Sequence, residues 1–297
     1  MRKPSKAIKL TSYDELLGMH ENPASEDGLA TDQIVEVKLT ELYPFRGHPF
    51  LVLDDAKMEE TTESIKNYGV LNPGLVRPRS SGGYELISGH RRKRGCELAG
   101  KETMPVIVRN YTDDEAVVVM VDANIQRENL LPSEKARAYK MKLEALKHQG
   151  KGLDGQEDTA ALVGKKAGDS GRTVQRYIRL TELIPELLDM VDSGKIKFIS
   201  GVALSYLSDS EQNWVLTCVT DENAAVSSAK ADILKKCSES GELAESDVRK
   251  ILCEKERRTV KLSLPAEKIK RYFPENYSKQ QMEQIIYELL EAWKNDQ

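Results

Sequence analysis

Cysteine is scarce, and the four present (Cys96, Cys218, Cys237 and Cys253) are scattered, with no C-x-x-C pair. That spacing excludes a disulfide framework and a zinc site of the usual kind, and it reads as reduced thiols in a cytosolic protein. The four histidines do not cluster, so no metal centre is legible. No apolar run approaches the roughly 20 residues needed to cross a bilayer. The first six residues, Met1-Arg-Lys-Pro-Ser-Lys6, lack the apolar stretch of a secretory signal. The expected setting is the cytoplasm, with no membrane partner. An excess of positive charge is missing too: the formal net charge is −4, which does not announce a nucleic-acid binder.

What is present is more telling. The 297 residues are enough for about two domains. Hydrophobic residues make up 39% and charged residues 31%, which suits a helix-rich protein with modest cores. Charge is unevenly spread. Residues 1–60 carry 7 Lys and Arg against 12 Asp and Glu, whereas residues 77–110 carry 8 against 3. A basic centre behind an acidic front can bind anions despite the total.

Residues 1–32 are polar, lack a clear period and read as a mobile arm. Ile34–Leu39 alternates like a strand, Leu42–Phe50 reads as a loop, and Asp54–Tyr68 as a helix ended by Gly69. Leu75–Pro78, Tyr84–Ser88 and Met104–Arg109 are further strands. Thr112-Asp-Asp-Glu115 is a capping box that predicts a helix to about Arg127, and Pro132 with Glu134 opens another to about His148. Gly150–Gly155 is a joint, and the chain beyond it is mostly helical. Lys261–Leu264 suggests a strand. Met282, Ile285, Ile286, Leu289, Leu290 and Trp293 form a helical stripe over Ser278–Trp293, expected to pack on a partner copy or on the main body.

The most informative stretch is Tyr84-Glu-Leu-Ile-Ser-Gly-His-Arg-Arg-Lys-Arg-Gly-Cys-Glu-Leu-Ala99. A strand, a glycine turn and a helix start place free backbone N–H groups where a phosphate can sit. Gly89 permits close approach, and Arg91, Arg92 and Arg94 supply guanidinium forks that match phosphate oxygens. An isolated match of this kind is more often a basic solvated helix.

A second pattern lies beyond the joint. Asp158–Val163 reads as a short helix, Gly164–Gly171 as a connection, and Arg172–Leu180 as a second helix. Val174, Tyr177 and Ile178 fall on one face, and Arg172, Gln175, Arg176 and Arg179 on the other. That is a helix-turn-helix pattern, or equally a plain helical hairpin. Lys165, Lys166, Ser170 and Thr173 join those four as candidate DNA contacts.

Together these pieces resemble the ParB family of partition proteins, over roughly residues 34–207. Gly69-Val-Leu-Asn-Pro-Gly-Leu-Val-Arg-Pro78 looks like the family's first box. Tyr84–Gly95 looks like its arginine box, usually G-E-R-R-x-R-A. Asn124-Ile-Gln-Arg-Glu-Asn-Leu130 looks like its third box, and Arg172–Leu180 with Ile184–Leu188 is similar to its helix-turn-helix region. The resemblance implies an α+β chain: an arm (1–32), a mixed α/β nucleotide-binding domain (33–130), an all-α helix-turn-helix domain (131–207), a helical linker region (208–259) and a small C-terminal unit (260–297).

It further implies CTP and Mg²⁺ as cofactors, a palindromic site on double-stranded DNA, a homodimer that closes as a clamp, and a ParA-type ATPase as partner. The protein would sit on the nucleoid or a plasmid. Gly69, Val70, Asn72, Pro73 and Arg77 would line the cytosine side. Gly89, His90, Arg91, Arg92 and Arg94 would hold the phosphates, with Gln126 and Arg127 beside them and Asn124 on the metal. Four positions depart from the family pattern: Ala123 replaces a Glu before Asn124, His90 replaces a Glu, Gly95 replaces an Ala, and Arg46 stands where a Gln is usual. Glu128, one helical turn from Asn124, is the expected substitute carboxylate on the metal. Nucleotide binding with slow or absent hydrolysis is therefore expected. A related transcriptional regulator and a ParB-like nuclease or small-molecule kinase are the other readings. Trp214, Trp293 and Cys96 read as packing residues; His48 has two readings, a residue near the nucleotide or, more often for a loop histidine, an incidental one.

Overall fold

The computed structural model describes residues 33–127, 129–150, 158–253, 269, 271–274 and 276–295. The expected arm, the Gly150–Gly155 joint beyond Gly150 and the Lys261–Leu264 strand lie outside these residues. The chain divides into two compact units, with the boundary between Leu252 and Cys253.

The first unit begins with five short strands: β1 (Ile34–Lys38), β2 (Leu42–Pro44), β3 (Gly74–Pro78), β4 (Tyr84–Ser88) and β5 (Thr103–Val108). Their order across the sheet is β1-β5-β3-β4-β2. The β1–β5 and β3–β4 pairs are antiparallel; the β3–β5 and β2–β4 pairs are parallel. β2 corrects the expectation of a continuous loop from Leu42 to Phe50. Pro44 has no N–H to donate, but at a sheet edge none is needed. Helix α1 (Ala56–Tyr68) starts where the Asp55 side chain accepts from the Met58 N–H, and ends at Gly69 with φ 72°. Helix α2 (His90–Leu98) follows β4 directly.

Alternation along β4 divides two cores. Leu86 packs with Val76, Met104, Val106, Ile65 and Cys96, beneath α1 and α2. Its neighbour Ile87 points to the opposite face, as strand geometry demands. There it meets Phe45, Phe50, Met120, Tyr139, Val163 and Val174. Each buried large side chain of this kind contributes about 1.5–3 kcal/mol.

Helix α3 (Asp113–Asp122) carries the capping box in full, with Thr112 and Glu115 bonding reciprocally. It stops at Asp122, five residues short of the expected end. Asn124, buried in the turn after it, donates from Nδ2 to the Met120 carbonyl at 2.7 Å. Helix α4 (Pro132–His148) runs from there into the helical half. Its Glu134 side chain accepts from the Leu131 N–H at 2.9 Å and from the Leu51 N–H at 2.6 Å. The loop after β2 is thereby tied to α4.

Helix α5 (Thr159–Gly164), a 3₁₀ turn (Lys165–Ala167) and helix α6 (Gly171–Arg179) form the helix-turn-helix. The turn is tight: a Cβ on Gly164 would lie 2.2 Å from the Asp169 carbonyl oxygen. Helices α7 (Pro185–Asp192), α8 (Phe198–Leu204), α9 (Asp209–Asp221), α10 (Ser228–Glu239) and α11 (Glu245–Cys253) complete this part. The core that starts at Ile87 runs without a break into Val163 and Val174, so the sheet half and the helix-turn-helix share it.

In the second unit, helix α12 (Lys279–Asn295) carries the expected stripe. Leu289, Leu290 and Trp293 on it are exposed within this chain. Trp214 on α9 is half-buried.

Candidate functional site

Gly89 is the hinge between β4 and α2. Its φ of 113° suits glycine, and a Cβ there would lie 3.2 Å from Met104 Cε and 3.3 Å from Gly74 Cα. The α2 N-terminus is therefore bare backbone, close against the start of β3, where the positive end of the helix faces an approaching anion.

Four segments meet around this point. Arg92 Nη1 donates to the carbonyls of Asn72 (2.6 Å) and Pro73 (2.5 Å), which joins the arginine box to the segment before β3. Arg91 pairs with Asp55 at 2.9 Å, and Arg94 with Asp54 at 2.6 Å, which joins it to the loop before α1. Hydrogen bonds to these arginines hold both aspartates below the usual carboxylate range. The two acids occupy forks that an anion would otherwise take. His90, first residue of α2, stacks on His48 with ring centroids 3.8 Å apart. Arg127 closes the fourth side, its guanidinium 5.8 Å from the Phe50 ring centroid.

Both imidazoles are held neutral. Burial, then His48, Arg127, Lys93 and Arg92, push His90 down to about 3. Burial and Arg127 lower His48, against its hydrogen bond to Phe50 and the opposing field of Glu134. The sequence favours an incidental role for His48. The structure places it against His90 at the start of α2 and within the field of Arg127.

Other expected residues sit differently. Arg77 is committed to Glu85 and Asp113, each at 2.6 Å, and is only 17% exposed. Gln126 donates to the Lys166 carbonyl at 2.9 Å, in the helix-turn-helix, and not toward the arginines. Glu128 lies outside the described residues, and the helical face invoked for it ends at Asp122. The glycine cradle, the helix start and Arg127 fit a polyphosphate, and Arg91 and Arg92 join them once an anion displaces Asp55 and the Asn72 and Pro73 carbonyls. For a hard divalent cation the expected described donor is one neutral side chain, Asn124, and such ions favour carboxylates.

On the helix-turn-helix, Lys165, Lys166, Ser170, Arg172, Gln175 and Arg176 are exposed and Thr173 is half-buried. The Ser170 side chain caps α6 by accepting from the Thr173 N–H at 3.2 Å. Among the described residues Arg172, Gln175 and Arg176 make no hydrogen bond or ion pair. Lys166 pairs with Asp122 at 3.2 Å, beside Lys142 on the same carboxylate at 2.5 Å. Arg179 is spent elsewhere: Nη2 donates to the Ser205 carbonyl at 2.7 Å, and the guanidinium lies 4.3 Å from the Tyr206 ring centroid.

A mixed sheet domain with an arginine-lined helix start, joined through α4 to a helix-turn-helix with an exposed basic face, defines a two-part protein. Residues 23–125 match the ParB N-terminal domain and residues 128–239 the ParB HTH domain. The chain belongs to the ParB family. It is 34% identical over 198 residues to the chromosome-partitioning protein Spo0J of Thermus thermophilus, spanning 67% of this chain and 69% of that one. Over 219 residues it is 33% identical to the probable chromosome 1-partitioning protein ParB of Deinococcus radiodurans, spanning 73% and 71%. Among solved structures, C-terminally truncated ParB of Caulobacter crescentus complexed to the centromeric parS site is 22% identical. The match covers 74% of this chain and 100% of that one, with a TM-score of 0.43.

Proposed function

We propose that this chain is a DNA-binding partition protein that grips a palindromic, centromere-like site as a homodimer, with its sheet-side pocket taking CTP. The observation that carries the reading is the convergence of Gly89, Arg91, Arg92 and Arg127 on one helix start, in the same unit as an exposed Arg172–Gln175–Arg176 face. Backbone N–H groups and guanidinium forks suit a triphosphate. Gln and Arg side chains suit adenine and guanine edges in the major groove. Membership of the ParB family supports both halves.

The finer parts of the reading follow from the resemblance. Mg²⁺ would accompany the nucleotide, with Asn124 as the described donor. A ParA-type ATPase would be the partner, a plasmid or mobile element the replicon served, and the nucleoid or plasmid DNA the location. Ala123 and Arg46 bring neither carboxylate nor amide to the phosphate end, so hydrolysis is slow or absent. Among the described residues no helix is long and apolar enough to cross a membrane.

The test is calorimetric titration with CTP, ATP, GTP and UTP in Mg²⁺, with Arg91→Ala in parallel. Selective CTP binding lost in the variant supports the reading. No binding of any nucleotide, with or without candidate DNA, overturns the pocket assignment. Phosphate release at the rate of active family members would overturn slow hydrolysis.

A further inference from the structure

The stacked pair of His48 and His90 has a feature that phosphate contacts alone leave unexplained. His48 Nδ1 sits 2.8 Å from the Phe50 carbonyl, so in the neutral ring Nδ1 carries the proton and Nε2 holds a lone pair. Among the described residues that Nε2 is buried with no partner, and so is Nε2 of His90. Two unsatisfied imidazole nitrogens, on rings 3.8 Å apart, are unusual in a native protein.

The surroundings decide what could satisfy them. Arg127 and Glu134 face His48; Arg127, Lys93 and Arg92 face His90. Both Glu134 oxygens already accept backbone N–H groups. Lys93 donates to the Leu42 carbonyl at 2.8 Å and pairs with Glu97 at 3.5 Å, and Arg92 is held on Asn72 and Pro73. Asp54 and Asp55 are engaged by Arg94 and Arg91. Three cations against one spent carboxylate disfavour a metal ion at the imidazoles. Burial first, and then the same charges, disfavour imidazolium. The negative charge of a polyphosphate offsets the arginine field, and a phosphate oxygen accepting from Nε2–H replaces the water that burial removes.

We propose that His48 and His90 form one proton-accepting unit at the phosphate end of the pocket, which takes up a proton when a polyphosphate binds. The proton comes from solvent and turns a partnerless acceptor into a donor. No bond to the ligand is made or broken. Binding then tightens as pH falls, by about tenfold per pH unit for each proton fully taken up. The inference rests on the nucleotide-pocket reading, and names His48 as a residue of that pocket.

The experiment is calorimetry of the full chain with CTP–Mg²⁺ and with inorganic triphosphate–Mg²⁺. It runs between about pH 6 and about pH 8, in buffers of different ionisation enthalpy. Wild type is compared with the His48→Gln/His90→Gln double variant, so that ionisation of the ligand itself cancels. The expected result is greater proton uptake and a steeper pH dependence in wild type. Equal uptake and equal slope would overturn the proposal and leave the pocket standing. Binding in no arm would overturn the pocket, and the proposal with it. If the double variant does not fold or bind, the imidazole proton resonances of wild type decide. Triphosphate must move those of His48 and His90 to imidazolium positions near neutral pH; resonances that stay at neutral positions overturn the proposal.

Discussion

The side-chain amide of Gln126 donates to the main-chain carbonyl of Lys166 at 2.9 Å, across 40 residues of sequence. It links the turn after α3, which carries the third ParB box, to the turn of the helix-turn-helix. The Lys166 side chain reaches back to Asp122 on α3 at 3.2 Å. The sheet half and the helix-turn-helix are therefore clasped by two reciprocal contacts.

Removing that clasp has a defined consequence. Gln126→Ala loses one hydrogen bond and leaves a carbonyl for water, at about 1 kcal/mol. On the proposed function it also reduces the influence of CTP on DNA affinity. DNA binding measured with and without CTP checks this: the ratio of the two affinities moves toward one in the variant. An unchanged ratio would remove the clasp from the coupling.

The exposed face of α6 makes two distinguishable predictions. Arg176→Ala costs about 1–3 kcal/mol on the cognate site and relaxes sequence preference. Lys165→Ala weakens binding to all sequences alike and lowers the salt slope by about one. Mobility-shift titrations over a range of salt separate the two. Arg179→Ala behaves as neither: it costs fold stability through Ser205 and Tyr206.

Gly89 and Gly100 form a controlled pair. Both have positive φ, 113° and 70°, but a Cβ on Gly100 meets nothing within 4 Å whereas one on Gly89 meets Met104, Arg92 and Gly74. Gly100→Ala carries backbone strain alone, about 1 kcal/mol; Gly89→Ala adds the clash and reaches about 2–3 kcal/mol. Urea denaturation gives both values, and equal losses would show that the crowding at Gly89 relaxes without cost.

Stability of the ligand-free protein falls with acid. His90 is held down to about 3 in the folded chain, against an ordinary value of about 6.5 when unfolded. Between those values the unfolded chain binds more protons, so stability is full above about pH 6.5 and declines toward about pH 3, by at most about 1.4 kcal/mol per pH unit from this group. Denaturation of wild type and His90→Gln across that window checks the sign: the variant shows the shallower decline.

Much of this architecture was legible in the sequence, because strand alternation, capping boxes and glycine stops are local signals. The capping box at Thr112, the helix opened by Pro132 and the strand–glycine–helix turn at Gly89 all lie where their residues put them. The misses are non-local. His48 lies 42 positions before His90, and its loop is brought there by non-local ties: Phe45 and Phe50 in the core, Arg46 N–H to Glu85, and Leu51 N–H to Glu134. The early end of α3 is set by the Asn124 amide turning back onto Met120. Arg179 shares a helical face with Arg172 and Gln175 by period, but Ser205, 26 residues on, captures it.

Tyr139 on α4 is completely buried, packs edge-on to Tyr177 of α6, and bonds Asp169 in the helix-turn-helix turn at 2.5 Å. It belongs to the same core as Ile87 and Phe50 of the sheet half. The reading helix is consequently not a cassette. Transplanting it onto another scaffold, or exchanging it for a relative's, strips a wall from the core it shares with the sheet half. Changes of DNA specificity are therefore confined to surface side chains such as Arg172, Gln175 and Arg176, while the frame beneath them is inherited whole.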